Sequence, residues 1–245
     1  MPNWWLACTA SVPNPLSPEV LFRWHRMVMA GRNDLHDVGR YRTGTEPMQV
    51  VLGTMYAPKV HFEAPPSDQV QLEMECFIAW FNRTAPGNPG HLPALTRAGL
   101  AHLHFESIHP FEDGNGRIGR AIAQKALVQS FGQTISIALS AAILAHHRSY
   151  YGALEAAQKW NEVTAWLAWF AGIVVEVQLR TRAQVELLID KTNLLDRLRG
   201  KLNARQDKVI FRMFEEGPDG FKGGLSAGLW NSIHDDQHQW KSYRP

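Results

Sequence analysis

The sequence has little cysteine and no long apolar run. Its two cysteines, Cys8 and Cys76, lie far apart among 245 residues, and two thiols alone provide neither a disulfide framework nor a zinc site. No apolar run reaches the ~18 residues of a candidate membrane helix. The segment Met1–Trp5 lacks the basic and apolar regions of a signal peptide. We therefore expect a cytoplasmic protein with reduced thiols and no membrane partner.

An excess of charge of either sign is also lacking. Lys and Arg total 25 against 23 Asp and Glu, so the formal net charge is +2, which argues against a protein that coats nucleic acid. Apolar residues form 45% of the chain, enough to order most of it. The length suits one large domain, or one domain with a small appendage. Nine Trp stand out, and residues of that size usually fill a core or an interface.

Apolar periodicity predicts helices with one hairpin among them. Residues 17–19 (Ser-Pro-Glu) have the hydroxyl, the proline and the acid of a helix start. Alternating segments within residues 48–63 predict a β-hairpin that must pack against helices, because an isolated hairpin is marginal in water. Residues 140–159 predict one helix. Asn203 and Gln206 predict a capping box at the start of another.

One segment between two predicted helices, residues 108–120, concentrates groups that bind anions. Its Gly-Asn-Gly loop, residues 114–116, allows a ligand to approach the backbone closely and leads directly into a helix. The N–H groups and the positive dipole end of that helix favour a phosphate. Arg117 and Arg120 are one helical turn apart, so both guanidinium groups can face the same phosphate site.

Two further side chains of this segment are suited to catalysis. Asp113 is a candidate Mg²⁺ ligand, because Mg²⁺ in phosphate sites takes one or two carboxylates together with phosphate oxygens. His109 titrates near neutral pH and is a natural general base for a hydroxyl nucleophile. A Gly-Asn-Gly loop alone is more typical of an ordinary turn. All these groups together predict phosphoryl or nucleotidyl transfer.

The same segment resembles the signature of the Fic (Fido) family, H-x-F-x-[D/E]-G-N-G-R-x-x-R. Every fixed position is matched, by His109, Phe111, Asp113, Gly114, Asn115, Gly116, Arg117 and Arg120. Residues 39–42 and the predicted hairpin resemble the flap region of the family, and residues 150–157 resemble its second nucleotide-side helix. The resemblance implies a mainly α fold, a Fic-type helical bundle with a small β-hairpin flap.

The resemblance also implies an activity, the transfer of AMP from ATP to a Ser, Thr or Tyr hydroxyl of a target protein with release of pyrophosphate. By similarity, His109 deprotonates the hydroxyl and Asp113 coordinates Mg²⁺ on the phosphates. The amides of residues 114–116, with Asn115, hold the α-phosphate. Arg117 and Arg120 bind the outer phosphates.

Further contacts are implied for the nucleotide and the target protein. The hairpin within residues 48–63 is expected to dock a target segment by strand addition. Tyr150 and Gln158 lie where the family lines its adenine pocket, although a Tyr at helical spacing is also typical of plain core packing. The nucleotide contacts expected on the hairpin are Leu52, Gly53 and Thr54.

The sequence departs from the family in its regulation. Many members carry an inhibitory helix, [S/T]-x-x-x-E-[G/N], whose Glu pairs with the second arginine of the signature, here Arg120. The single Glu-Gly or Glu-Asn pair is Glu216-Gly217, and Arg212 stands four residues before the Glu, so the motif is not matched. We expect an enzyme that is uninhibited or restrained in trans by another polypeptide; loss of an N-terminal inhibitory segment stays open.

These features predict four parts of the chain. Residues 1–37 form an N-terminal helical segment, 38–180 the Fic core, and 181–200 a helical linker. Residues 201–245 resemble the start of a winged helix that ends before a recognition helix, so we expect no DNA binding.

Two other functions remain open at this stage. One is a Fic-fold enzyme of other specificity, which removes AMP from proteins or transfers another nucleotide or phosphate-containing group. The other is a truncated regulatory or interaction module that has lost catalysis. The intact signature argues against the second, because a vestigial domain need not keep His109, Asp113 and both arginines.

Overall fold

The structure, a computed structural model, describes residues 14–54, 57–132, 139–160 and 162–215. Cys8 and the end of the winged-helix-like segment lie outside the described residues. The predicted mainly α fold with one hairpin is confirmed. In chain order the elements are α1 (Pro18–Val28), β1 (Gln49–Thr54), β2 (Ala57–Glu63), α2 (Ser67–Arg83), α3 (Ala94–Ile108), α4 (Asn115–Phe131), α5 (Leu139–Ala145), α6 (His147–Lys159), α7 (Thr164–Leu198) and α8 (Ala204–Glu215).

Helix α1 begins where its capping signal predicts. The Ser17 hydroxyl accepts a hydrogen bond from the backbone N–H of Val20 at 3.4 Å, and proline occupies the first helical turn. This cap satisfies one of the N–H groups that a helix start leaves without an intrahelical partner. The buried face of α1 carries Leu21 and Trp24.

Strands β1 and β2 form the predicted antiparallel hairpin. Their register runs from Gln49 opposite Glu63 to Thr54 opposite Ala57, with an irregularity after Val50. Strand β2 lies against helix α6. The hairpin therefore gains the helical support that a two-stranded sheet needs in water.

Helices α3 and α4 pack against each other at the centre of the bundle. Close packing of α3 against α7 requires glycine at position 99, because a Cβ there would lie 2.8 Å from a methyl carbon of Leu167. The indole N–H of Trp166 donates to the carbonyl of Gly99 at 2.9 Å. Large buried side chains of this core are Trp24, Phe77, Phe81, Phe105, Phe111, Trp166 and Phe170.

The helix predicted over residues 140–159 is wrong as a single element. It is divided into α5 and α6 at His146, whose backbone leaves helical geometry (φ −108°, ψ 26°). The Nε2 atom of His146 lies 2.9 Å from a carboxylate oxygen of Glu176 on α7. This long-range contact accompanies the break, and no Gly or Pro in the sequence marks it.

The capping box predicted at α8 is confirmed. The N–H of Gln206 donates to the side-chain oxygen of Asn203 at 3.0 Å, and the N–H of Asn203 donates back to the side-chain oxygen of Gln206 at 2.9 Å. The chain divides after Val177 into two compact units, while the four predicted parts of the chain stay predictions. Among the described residues, no helix combines the length and the apolar character needed to span a membrane.

Candidate active site

His109 lies directly after the last residue of α3, in a left-handed backbone conformation (φ 51°, ψ 57°). It is the one non-glycine residue with positive φ in the described part of the chain. The Nδ1 atom of its ring lies 3.3 Å from the backbone carbonyl of Glu106. Because a carbonyl only accepts, Nδ1 carries the proton, and the neutral ring keeps the lone pair of Nε2.

Burial keeps this imidazole neutral. It lowers the pKa of His109, and the charge of Arg42 lowers it further, whereas the hydrogen bond to Glu106 and the charge of Asp113 raise it. Taken together, these effects place the pKa of His109 below the usual histidine value. An imidazole that is neutral near pH 7 can accept a proton, as a general base must.

Asn115 fixes the loop that follows His109. Its side-chain N–H donates to the carbonyl of Phe111 at 2.7 Å, and its side-chain oxygen accepts from the N–H of Phe111 at 2.9 Å. Phe111 is buried and stacks on the ring of His25 at 4.1 Å. The side chain of Asn115 is thus engaged with the loop, and its backbone N–H remains the group that can reach an anion.

The start of α4 presents backbone N–H groups, as the glycines predict. The first hydrogen bonds of this helix run from the N–H of Arg117 and of Ile118 to the carbonyl of Gly114, so the N–H groups of residues 115 and 116 precede them. Gly114 has φ +82°, and a Cβ there would lie 2.5 Å from the terminal carbon of Met29. Only glycine fits this position without strain or clash.

Helix α1 holds the other side of the loop through His25. The N–H of Gly39 donates to Nδ1 of His25 at 2.9 Å, so the ring proton is on Nε2, which donates to the carbonyl of Asp113 at 3.1 Å. Burial lowers the pKa of His25, which favours the neutral ring that this bridge requires.

The carboxylate of Asp113 is surrounded by guanidinium groups. It lies 2.7 Å from Arg32 and 3.8 Å from Arg117, and its side chain is 40% exposed. No group of three His, Cys, Asp or Glu side chains suited to a metal occurs among the described residues. A single accessible carboxylate fits Mg²⁺ only where phosphate oxygens supply further ligands.

A cavity of about 410 Å³ opens beside His109. It brings together five of the predicted site residues: His109, Gly116, Arg120, Tyr150 and Gln158. The rest of its described lining consists of Phe62, Glu106, Ser140, Ile143, Leu144, His147, Tyr151, Leu154 and Glu155.

The other predicted residues lie outside the described lining of this cavity, in two groups. Asp113, Gly114, Asn115 and Arg117 belong to the loop and the start of α4. Leu52, Gly53 and Thr54 lie in β1, where their backbones pair with residues 57–59 of β2. Among the described side chains of the hairpin, Phe62 lines the cavity.

Tyr150 is a core residue that also lines the cavity, and its contact with adenine stays a prediction. It is buried among Trp166 and Trp169, and its hydroxyl lies 3.0 Å from Nε2 of His102. It also lines the cavity, as does Gln158, whose side-chain N–H lies 3.4 Å from the hydroxyl of Ser107.

Sequence reasoning missed Glu106 as a site residue. Its carboxyl is buried in the cavity wall, and Oε1 has no hydrogen-bond partner among the described residues. Burial raises its pKa to about 7, although the charge of Arg120 opposes the shift. A sequence signal exists, because Glu106 is the one acidic residue of α3 and stands one helical turn before His109.

A helix start that can bind an anion, next to a histidine and a cavity, is typical of proteins that bind phosphate ligands. Residues 15–127 match the model of the Fic/DOC family, and this match, together with the similar proteins below, supports a Fic family protein. A probable protein adenylyltransferase of Aquifex aeolicus is 30% identical over 81 residues, which are 33% of this chain and 22% of that protein.

Solved structures share the fold. A Fic family protein from Desulfovibrio desulfuricans superposes with a TM-score of 0.60 at 22% identity, over 95% of this chain and 62% of that one. Fic-1 (residues 134–508) from C. elegans gives 0.53 at 22% identity, over 74% and 50%. The chain thus spans about a fifth of the curated relative's length and less than two thirds of each of these structures.

Proposed function

We propose that this protein transfers AMP from ATP to a Ser, Thr or Tyr hydroxyl of a target protein. The hydroxyl oxygen attacks the α-phosphorus, its proton passes to Nε2 of His109, and the bond to the bridging oxygen breaks to release pyrophosphate. The observation that carries the proposal is the imidazole of His109 in the wall of a cavity beside a helix start, with Nδ1 3.3 Å from the carbonyl of Glu106 and Nε2 left to accept a proton.

Phosphate binding falls to the start of α4. The N–H groups of Asn115 and Gly116 precede the first intrahelical hydrogen bonds and face an anion with the positive helix dipole behind them. Arg120 lines the cavity, with its Nε–H donating to the hydroxyl of Ser140 at 2.9 Å. Arg117 lies near Asp113 on the other side of the loop. Both arginines neutralise the charge of the outer phosphates.

Asp113 would hold Mg²⁺ together with phosphate oxygens. When bound, the ion supplies positive charge to the α- and β-phosphates during bond breaking. Arg32, now 2.7 Å from the carboxylate, has to share or leave it. Since Arg32 and Asp113 are both partly exposed, this exchange costs little.

The far wall of the cavity suits a nucleoside. Ile143, Leu144, Tyr151 and Leu154 supply apolar and aromatic surface, and Gln158 supplies an amide at the same wall. A volume of about 410 Å³ lies within the usual range for small-ligand pockets. The hairpin beside it offers strand edges to a target segment.

The test is incubation of the full chain with a cell lysate and labelled ATP, UTP, GTP or CTP in turn. We expect labelled protein with ATP, and loss of the label in His109→Ala. The matched control is His91→Ala, because His91 is exposed outside the site; this variant should keep wild-type labelling. Label that survives His109→Ala overturns the assignment of the base.

The buried carboxyl of Glu106 favours a second candidate, hydrolytic removal of AMP from a modified protein. A carboxylate whose pKa is raised to about 7 can take a proton from water near neutral pH. The test is release of AMP from a pre-modified target, and this candidate requires that Glu106→Gln abolish the release.

A further inference from the structure

Arg42 is a charged residue in a buried position, 4% exposed. Its backbone N–H donates to the carbonyl of Pro110, and its Nε–H donates to the carbonyl of His109, both at 2.9 Å. Nη1 donates to the Ser67 hydroxyl at 3.0 Å, and Nη2 donates to the carbonyl of Pro65. These contacts satisfy a guanidinium group that burial would otherwise penalise.

The backbone that Arg42 holds is strained. A left-handed backbone is unfavourable for a residue other than glycine, and the proline after His109 favours extended backbone at the residue before it. Such a conformation persists only where the surroundings over-determine it. The carbonyls of His109 and Pro110 follow the end of α3, where helical partners run out; the guanidinium of Arg42 satisfies the first and its backbone N–H the second.

The same guanidinium connects His109 to the hairpin. Pro65 and Ser67 belong to the segment that leaves β2 and enters α2, and the Ser67 hydroxyl donates onward to the carbonyl of Gly44. One side chain therefore joins three chain segments that are distant in sequence. A displacement of the hairpin exit would be transmitted to the backbone of His109.

We propose that Arg42 is a positioning residue for His109, which holds the left-handed turn so that Nδ1 meets the Glu106 carbonyl and the ring lines the cavity. Its catalytic consequence rests on the proposed function, whereas its effect on the ring does not. Loss of the guanidinium frees the backbone of His109 and releases Nδ1 from Glu106. The proton then redistributes between the two ring nitrogens.

The experiment compares Arg42→Gln and Arg42→Lys with Arg97→Gln in the full chain. Arg97 is a matched control, because it is fully buried and donates to the carbonyl of Phe81 and to Gln129, outside the site. Ring ¹⁵N NMR of labelled histidines, with the His109 signal assigned from His109→Gln, reports the tautomer. The second readout is kcat and KM for ATP-dependent labelling.

We expect the wild type and Arg97→Gln to show the Nδ1-protonated ring of His109, and Arg42→Gln to show a mixture of tautomers. We expect kcat of Arg42→Gln to fall about 10- to 100-fold with an unchanged KM for ATP. Arg42→Lys keeps the charge without the fork of donors, so it should show the same shift more weakly, and it serves if Arg42→Gln does not fold.

An unchanged His109 tautomer in both Arg42 variants overturns the proposal. So does an equal tautomer shift in Arg97→Gln, because the effect would then follow from loss of any buried arginine. A tautomer shift confined to the Arg42 variants, in a chain that transfers no nucleotide, supports the positioning role and overturns the proposed function.

Discussion

Polar side chains hold the backbone of the site through hydrogen bonds to main-chain groups. Asn115 binds both backbone groups of Phe111, and Arg42 binds the carbonyls of His109 and Pro110. His25 bridges the N–H of Gly39 and the carbonyl of Asp113. The partner residues contribute only main-chain atoms, so substitution of their side chains leaves these hydrogen bonds in place. The geometry at His109 therefore depends on the polar side chains of Asn115, Arg42 and His25.

The lowered pKa of His109 fixes the pH dependence of the proposed reaction. A general base acts in its neutral form, and burial lowers the pKa of this imidazole below the ordinary histidine value of 6.5. We expect kcat/KM to rise with pH to a plateau, with a midpoint below 6.5, measured with ATP held constant. A midpoint above 6.5 contradicts the desolvated base.

Glu106 makes stability depend on pH in the opposite sense to an ordinary carboxyl. Its pKa is raised from 4.5 to about 7, so its stabilising contribution is complete below pH 4.5 and is lost as pH rises through 7. Glu106→Gln cannot ionise. Relative to the wild type, its free energy of unfolding should be about 2–4 kcal/mol more favourable at pH 8 than at pH 4.5.

Urea denaturation at the two pH values measures this difference. The matched control is Glu46→Gln, because Glu46 is exposed, and it should track the wild type at both pH values. A Glu106→Gln variant that also tracks the wild type contradicts the burial of an ionisable carboxyl in the cavity wall.

The loop before α4 is the element most exposed to a single substitution. Asn115→Ala removes two hydrogen bonds and leaves the N–H and the carbonyl of buried Phe111 without partners. We expect the free energy of unfolding to fall by about 2–4 kcal/mol, measured by urea denaturation. Asn88→Ala, which removes one exposed bond to the carbonyl of Asn82, should cost less than about 1 kcal/mol.

Helix α4 has no room for a side chain at Gly119, which faces Glu106 of α3. A Cβ at Gly119 would lie 2.4 Å from a carboxyl oxygen of Glu106, so Gly119→Ala should lower the free energy of unfolding by about 1–3 kcal/mol. Gly152 is exposed within α6 and has nothing within 4 Å of its Cβ position. Gly152→Ala should raise the free energy of unfolding by about 0.5–1 kcal/mol. Equal effects in thermal unfolding would contradict this packing.

Local sequence signals predicted the helices and the hairpin, but they did not predict contacts between residues that are distant in sequence. The Ser17 cap, the hairpin and the Asn203 capping box depend on neighbours within a few residues, and all three are confirmed. The break at His146 accompanies a contact to Glu176, thirty residues on. Arg42 and His25 likewise meet the signature loop from 67 and 88 residues away, where no periodicity can show them.

At the scale of the whole molecule, the family model covers one wall of the cavity and not the other. The wall formed by His109 and the start of α4 lies within residues 15–127, which match the family model. The opposite wall, within residues 139–158 of α5 and α6, lies beyond that match. If the proposed function holds, we expect nucleotide preference to depend on this opposite wall.

Restraint of the enzyme also belongs to the whole molecule. The inhibitory motif of the family is not matched in this sequence, and we expect the pure protein to label itself with ATP unless another polypeptide restrains it. A pure chain that gives no label at all with ATP contradicts an uninhibited enzyme.

The position of the label tests the central claim most directly. The full chain is incubated with the lysate proteins that it modifies and with ATP that carries ³²P at the α- or the γ-phosphate. The released pyrophosphate is measured. Transfer of AMP predicts labelled protein from the α-position alone, an equal amount of pyrophosphate, and loss of both in His109→Ala. Label from the γ-position, or transfer that persists in His109→Ala, would contradict it.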